Sequence, residues 1–187
     1  MKGRGDRKKP WAVFLDRDGT INEDTGYVSR PEELVLIEGS TRAVKALNDR
    51  GVKVIIITNQ SGVARGYFEE KAVGEVNEKL IELLHLDGAR VDGIYYCPHH
   101  PDDECRCRKP ETGMIERAAK EHGVEIEKSY VVGDKATDME LARNAGAKGI
   151  LVMTGQGAEE VDTLKTKPEY VARDLADAVS WILRNPF

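Results

Sequence analysis

The sequence lacks any long apolar stretch: the run that begins at Trp11 ends after five residues. A membrane-spanning helix needs about 20 apolar residues, and a secretory signal needs about 7–15. We therefore expect no membrane partner and a cytoplasmic location. The basic residues near the start predict a flexible leader over residues 1–10, followed by a single domain over residues 11–187 that is long enough to bury a core.

Excess positive charge is also lacking, since the net charge is −5. Proteins that bind nucleic acid usually carry a basic surface that neutralises phosphates, so we expect no nucleic-acid partner.

The chain has only three cysteines, and all of them lie between residues 97 and 107. An odd number at such close spacing argues against a disulfide framework and for metal ligation. We expect the chain to act as a monomer.

Short apolar runs rich in β-branched residues alternate with helical patterns along the chain. The runs predict strands, whereas in the helical patterns apolar residues recur at steps of three and four. This alternation indicates a Rossmann-like α/β fold, with a parallel sheet and helices on both of its faces. The predicted strands cover residues 12–15, 52–57, 94–96, 130–132, 150–153 and 170–172.

Polar side chains follow three of the predicted strands. Asp16 and Asp18 follow the first strand, Thr58 and Asn59 the second, and Asp134 the fourth. The carboxyl ends of parallel strands meet at one edge of a sheet, where ligands bind. We therefore expect these residues, which are far apart in the sequence, to form one site.

The residues at this edge suit phosphoryl transfer. Three carboxylates, Asp16, Asp18 and Asp134, would hold a catalytic Mg²⁺, which prefers oxygen ligands. Asp16 would attack phosphorus and form an aspartyl-phosphate. Asp18 would protonate the leaving group and then deprotonate the attacking water. Thr58 and Lys109 would hold the oxygens of the transferring group.

Each of these residues has a plainer interpretation when it is taken alone. Thr58 and Asn59 could cap a turn, and Asp134 and Asp138 could cap a helix. In the catalytic interpretation, Asp138 supports the loop that carries Asp134. The convergence of several such residues on separate strand ends favours catalysis.

A cysteine-rich loop follows the third strand and reads CPHHPDDECRCRKP from residue 97 to residue 110. Three cysteines and one histidine form a closed ligand set for structural Zn²⁺. His99 lies two residues after the first cysteine, although His100 could replace it. If the loop folds back on its own start, it returns Lys109 to the edge of the sheet. The predicted zinc ligands are Cys97, His99, Cys105 and Cys107.

The chain from residue 11 onward resembles the haloacid dehalogenase superfamily of phosphatases. The first motif of that superfamily matches residues 16–20, the second matches residues 58–59, the third matches Lys109 and the fourth matches residues 133–134. The inserts between these motifs are too short for a lid domain. We therefore expect a capless member of the superfamily, in which loops set the selectivity.

The cysteine-rich loop resembles the branch that holds D-glycero-D-manno-heptose 1,7-bisphosphate phosphatases and histidinol-phosphate phosphatases. The strings DRDGTIN, TNQSGVARG and DGIYYCPHHP are similar to the heptose enzymes. This resemblance implies removal of the 7-phosphate of a heptose bisphosphate in the synthesis of surface polysaccharide. It also implies a set of substrate contacts: Asp24, Thr25, Gly26, Tyr27, Thr58, Asn59, Gln60, Ser61, Arg108, Lys109 and Lys135.

Three alternatives stand beside a phosphorylated sugar as the substrate. The first is histidinol-phosphate phosphatase, because the short spacing of five residues between His99 and Cys105 also occurs in that group. The second is a nucleic-acid 3′-phosphatase, which the acidic charge balance opposes. The third is a non-catalytic zinc-dependent interaction module, which would not need polar residues at separate strand ends.

Overall fold

The structure, a computed structural model, describes residues 10–186. Its strands are Ala12–Leu15 (β1), Lys53–Asn59 (β2), Gly93–Cys97 (β3), Tyr130–Gly133 (β4), Lys148–Val152 (β5) and Tyr170–Ala172 (β6). They form one parallel sheet in the order β3-β2-β1-β4-β5-β6. Strand β1 therefore lies inside the sheet, between β2 and β4. Of the expected leader, only Pro10 lies within the described residues.

All six predicted strands are present; β1 and β6 have the predicted bounds, and the bounds of the other four differ by one or two residues. The shift that bears on function is at the end of β2, which continues through Asn59. Thr58 and Asn59 pair with Tyr96 and Cys97 of β3, so they are the last residues of a strand rather than the start of a turn. Their backbones are held by the sheet.

Helices pack on both faces of the sheet, as predicted. They are Ser40–Asp49 (α1), Glu70–Leu86 (α2), Gly113–His122 (α3), Ala136–Ala145 (α4), Gly157–Glu160 (α5) and Leu175–Arg184 (α6). Side chains that alternate along β1 point to opposite faces. Val13 and Leu15 pack in a buried cluster with α1, α2 and α6, whereas Ala12 and Phe14 pack in a second cluster with α3 and α4.

The inserts between the site-bearing strands are small. Between β1 and β2 the chain forms a 3₁₀ turn over Pro31–Glu33 and then α1, and between β2 and β3 it forms α2. Neither insert contains a lid domain, so the described part of the chain has the capless architecture that was predicted. Across residues 10–186, no helix combines the length and the apolar character needed to cross a membrane.

Candidate active site

The buried ammonium of Lys109 lies at the edge where the strands end. Its Nζ is 2.8 Å from Oδ1 of Asp16, just past β1, and 2.7 Å from Oδ1 of Asp138 in α4. Burial opposes the charge of Lys109, but Asp138 and Asp16 outweigh it and raise the pKa of the ammonium. The lysine is therefore held as a cation against the predicted nucleophile.

A third carboxylate, that of Asp134 after β4, completes a buried cluster. One oxygen from each of Asp16, Asp134 and Asp138 lies within 4.8 Å of the others. Burial raises the pKa of Asp16 to about 6, and burial together with the Asp16 charge raises the pKa of Asp134 to about 7. Oδ1 of Asp134 is buried without a hydrogen-bond partner. A hard divalent cation would satisfy this oxygen and offset the carboxylate charges, so the residues fit Mg²⁺.

The carboxylate of Asp18, the other predicted magnesium ligand, lies outside this cluster. It accepts hydrogen bonds from Arg17 Nη2 over 3.0 Å, from Asn22 Nδ2 over 2.9 Å and from Gln60 Nε2 over 2.9 Å. Burial alone would raise the pKa of Asp18, yet the Arg17 charge and these hydrogen bonds lower it. Asp18 still lines the same cavity as Asp16, so its oxygens remain close to the reacting groups.

Asn59 holds the backbone of Lys109 through two reciprocal hydrogen bonds. Its Nδ2 donates to the carbonyl oxygen of Lys109 over 3.2 Å, and its Oδ1 accepts from the Lys109 N–H over 3.0 Å. Because Asn59 is the last residue of β2, the lysine is tied directly to the sheet. Beside it, the buried Oγ1 of Thr58 accepts a hydrogen bond from Gln60 Nε2 over 3.0 Å.

The cysteine-rich loop carries Lys109 from the end of β3 back to the centre of the sheet. At its base, Cys97 Sγ is 3.4 Å from His99 Nδ1, 3.6 Å from Cys105 Sγ and 3.2 Å from Cys107 Sγ. Ligand atoms about 2.0–2.3 Å from a tetrahedral metal lie about 3.5–3.8 Å from one another. The separations of 3.2–3.6 Å lie within a few tenths of an ångström of this range, and all four ligand atoms lie within 4.8 Å of one another, so the side chains fit a single metal ion.

His99, and not His100, belongs to this group. Nδ1 of His99 lies 3.1 Å from Cys107 Sγ. Nδ1 of His100 instead accepts a hydrogen bond from the backbone N–H of Asp102 over 3.3 Å and lies 3.3 Å from the Asp102 carboxylate. The structure thus brings together the four predicted ligands and directs the alternative histidine elsewhere.

Two glycines provide the space for the Asp134 side chain, because a glycine has no Cβ atom. A Cβ atom added at Gly19 or at Gly155 would lie 2.2 Å from Oδ2 of Asp134. The loop after β5 also donates the backbone N–H of Gln156 to this oxygen over 2.9 Å. In addition, Thr154 Oγ1 donates to the carbonyl oxygen of Gly19 over 2.6 Å. The loops after β1 and β5 therefore close around the carboxylate and fix its position.

A cavity of about 390 Å³ opens at the predicted site. The resemblance implied Thr25 as a substrate contact, but Thr25 is exposed and does not line the cavity. It lies at the tip of a turn in which Asp24 Oδ1 accepts a hydrogen bond from the Gly26 N–H. The lining residues are Asp16, Asp18, Asp24, Gly26, Tyr27, Thr58, Asn59, Gln60, Ser61, Arg108, Lys109, Lys135, Thr137 and Gln156.

Thr137 and Gln156 line the cavity although the sequence analysis did not select them. Thr137 lies in the first turn of α4, and Gln156 lies in the loop after β5. A signal existed for Gln156, since the string TGQG follows a predicted strand whose end faces the site. Nothing in the residue pattern distinguished Thr137 from an ordinary residue at a helix start.

Two cationic side chains in the cavity have different surroundings. Lys135 Nζ donates to Asp24 Oδ2 over 2.8 Å. Burial lowers the pKa of Lys135, but Asp16, Asp134 and Asp24 outweigh burial and raise it. Arg108 Nη1, in contrast, is buried without a hydrogen-bond partner. Arg108 therefore offers an unused donor in the wall of the cavity.

Known proteins are similar to this chain in sequence. A family model described as "HAD-hyrolase-like" matches residues 106–178. The D-glycero-D-manno-heptose-1,7-bisphosphate 7-phosphatase of Thermosynechococcus vestitus is 44% identical over 185 residues, which cover 91% of this chain and 94% of that protein. This chain belongs to that phosphatase family. A second member, D-glycero-beta-D-manno-heptose-1,7-bisphosphate 7-phosphatase of Haemophilus ducreyi, is 42% identical over 91% of this chain and 97% of its own length.

Solved structures of the family share the fold. The D,D-heptose 1,7-bisphosphate phosphatase of B. bronchiseptica, crystallised with magnesium and phosphate, superposes with a TM-score of 0.88 at 35% identity over 93% of this chain and 98% of that one. The D,D-heptose 1,7-bisphosphate phosphatase of Burkholderia thailandensis superposes with a TM-score of 0.73 at 27% identity over 94% and 99% of the two chains. The family fold therefore extends over nearly the whole chain.

We expect Gly155→Ala to lower phosphatase activity roughly 10–100-fold, since the new Cβ would displace Asp134 and misplaced catalytic groups carry costs of this order. Phosphate release from a small phosphomonoester measures the effect. Gly88→Ala is a matched control, because Gly88 is also left-handed, with φ +75° against +56° for Gly155, and a Cβ there meets nothing within 4 Å. Equal activity in the two variants would contradict the steric role of Gly155.

Proposed function

We propose that this protein hydrolyses the 7-phosphate of D-glycero-D-manno-heptose 1,7-bisphosphate, in the synthesis of nucleotide-activated heptose for surface polysaccharide. The observation that carries this proposal is the Lys109–Asp16 ion pair in a cavity of a chain whose relatives bear that enzyme name. The protein would act as a cytoplasmic monomer, with one domain over residues 11–187 and no nucleic-acid or membrane partner.

Asp16 would act as the nucleophile. Its Oδ1 lies 2.8 Å from Lys109 Nζ and accepts the backbone N–H of Arg17 over 2.7 Å, so the carboxylate is oriented before substrate arrives. A carboxylate oxygen of Asp16 bonds to phosphorus as the bond from phosphorus to the sugar oxygen breaks, which leaves an aspartyl-phosphate and an alkoxide. Thr58 Oγ1 and Lys109 Nζ would donate to the oxygens of the transferring group.

Asp18 would act as the general acid and general base of the reaction. In the free enzyme its lowered pKa favours the carboxylate, which suits removal of a proton from the water that hydrolyses the aspartyl-phosphate. An approaching phosphate dianion would raise the pKa of Asp18 through like-charge repulsion. The residue could then take up the proton that it gives to the leaving alkoxide.

Asp16, Asp18 and Asp134 would hold the catalytic Mg²⁺, and the unsatisfied Oδ1 of Asp134 supports this assignment. When bound, Mg²⁺ supplies positive charge to the phosphoryl oxygens and to the buried carboxylates. Asp138 pairs with Lys109 over 2.7 Å and would keep the ammonium directed at Asp16.

A structural Zn²⁺ would be held by the thiols of the cysteine-rich loop together with His99. Zinc would supply a cross-link there and would take no part in the phosphoryl transfer. The cysteine-rich loop would position Lys109, because this residue lies two residues after Cys107. The Lys109 backbone is also hydrogen-bonded to Asn59.

The remote phosphate of the sugar would bind Arg108. Its Nη1 is buried without a partner, and an arginine donates charge-assisted hydrogen bonds to phosphate oxygens. A cationic amino alcohol such as histidinol phosphate would instead bring a positive charge toward Arg108 and Lys135. None of the relatives described above bears the name of a histidinol-phosphate phosphatase, a nucleic-acid phosphatase or an interaction module.

Asp16→Asn should abolish turnover of heptose 1,7-bisphosphate while the fold is retained, because an amide cannot act as the nucleophile. Phosphate release is measured on purified protein whose circular dichroism spectrum matches that of the wild type. Turnover close to the wild-type rate would contradict the aspartyl-phosphate mechanism.

Cys105→Ser should lower zinc content, thermal stability and activity together, since the loop carries Lys109. Elemental analysis, thermal unfolding and phosphate release measure the three effects. His100→Ala is the control, because His100 is in the same loop but outside the group of four. The idea fails if protein made without chelators holds no zinc, or if Cys105→Ser keeps full activity.

Arg108→Ala should reduce kcat/KM for heptose 1,7-bisphosphate roughly tenfold or more, the size of one charged hydrogen bond, and should leave a small phosphomonoester nearly unaffected. Arg106→Ala is a matched control, since Arg106 lies two residues away in the loop and is exposed outside the cavity lining. Equal losses on both substrates would indicate damage to the loop. A wild-type preference for histidinol phosphate would overturn the substrate assignment.

A further inference from the structure

We propose that Tyr67 and Phe68 support Tyr27 as an apolar wall for the carbon face of a sugar ring, so that Tyr67 is a specificity-determining positioning residue. We call Tyr27, Tyr67 and Phe68 the aromatic rim. The inference rests on the proposed function, because it names how the sugar part of that substrate is recognised. Tyr67 itself does not line the cavity and would act through Tyr27.

The aromatic rim joins two loops at the mouth of the cavity. Tyr27 lies in the loop after β1 and lines the cavity, whereas Tyr67 and Phe68 end the loop after β2. The Tyr27 and Tyr67 rings meet edge to face, with centroids 4.9 Å apart and an interplanar angle of 74°. The Tyr27 and Phe68 centroids are 6.5 Å apart. Such geometry is favourable for aromatic pairs and restrains Tyr27 from two sides.

The two tyrosines of the aromatic rim are exposed, and packing in the hydrophobic core does not explain their contact. Tyr27 is 46% exposed and Tyr67 is 60% exposed, so both rings leave much of their surface in water. A clustered apolar surface of this kind beside a polar cavity is typical of a ligand-binding site. A sugar phosphate has the matching chemistry, since its phosphates need the polar residues of the cavity and its C–H faces need an apolar partner.

Gly62 sets the rim beside the polar residues that line the cavity. A Cβ atom at Gly62 would lie 2.4 Å from two ring carbons of Phe68 and 3.0 Å from Cδ1 of Tyr27. The Tyr67 N–H donates to the carbonyl oxygen of Gly62 over 2.9 Å, which closes the loop. Ser61, directly before Gly62, lines the cavity. The apolar wall is therefore continuous with the phosphate-binding side of the cavity.

The test compares Tyr67→Ala with wild type on three substrates: heptose 1,7-bisphosphate, the ring sugar phosphate glucose 6-phosphate and the acyclic glycerol 3-phosphate. For the two ring substrates KM should rise about three- to tenfold, the range expected for loss of an aromatic pair, with kcat changed less than twofold. The KM for glycerol 3-phosphate should not change. Tyr67→Phe should restore wild-type KM, and Leu86→Ala, an exposed apolar residue at the end of α2, should have no effect.

A double-mutant cycle tests whether Tyr67 acts through Tyr27. In a Tyr27→Ala background, Tyr67→Ala should add little to the KM for ring substrates, because the wall is already gone. Additive effects, an unchanged KM in Tyr67→Ala, or equal losses on ring and acyclic substrates would each overturn the inference.

If the proposed function is wrong, the wild-type substrate assay shows this separately from the Tyr67 variants. A wild-type enzyme without preference for heptose 1,7-bisphosphate would reject that substrate assignment. The aromatic rim would then be judged by the ratio of KM values for glucose 6-phosphate and glycerol 3-phosphate in the same variants.

Discussion

A single ammonium, that of Lys109, lies between two buried carboxylates, and the site is arranged around this contact. Asp16 cannot be both buried and ionised without nearby positive charge, and Lys109 supplies it over 2.8 Å. Asp138 completes the arrangement from the start of α4, over 2.7 Å. Removing one member of a buried ion pair typically costs about 3–5 kcal/mol, because the remaining charge is left uncompensated.

Placing this ammonium requires an unusual path for the chain. Lys109 follows β3, an edge strand of the sheet, yet it must reach Asp16 beyond β1 in the interior of the sheet. The cysteine-rich loop spans that distance, with four potential metal ligands gathered at its base. Asn59 then ties the lysine backbone to the end of β2 by two hydrogen bonds. The cysteine-rich loop and β2 therefore both constrain the position of Lys109.

Local patterns predicted the fold and the catalytic residues at the strand ends, whereas the other predicted cavity residues, such as Tyr27 and Arg108, were implied only by the family resemblance. Alternating strands and helices indicated the parallel sheet, and polar residues at strand ends indicated the edge that binds ligand. The orientation of Asp18 could not be predicted, because it depends on Arg17 and on Gln60, which comes from another strand end. Thr25 is exposed at a turn where Asp24 Oδ1 accepts from the Gly26 N–H, and the residue pattern does not show this turn. The contact of Tyr27 with Tyr67 arises only when two loops meet.

The fit of Gly19 and Gly155 around Asp134 has a consequence for recombining members of this family. A chimera with a crossover between these positions takes Gly19 from one parent and the loop after β5 from the other. Each parent must then lack a side chain at its own contributed position, even if the parents are otherwise compatible. A side chain at either position alone would displace Asp134, so a recombination library keeps this carboxylate in place only if every parent supplies glycine at both positions.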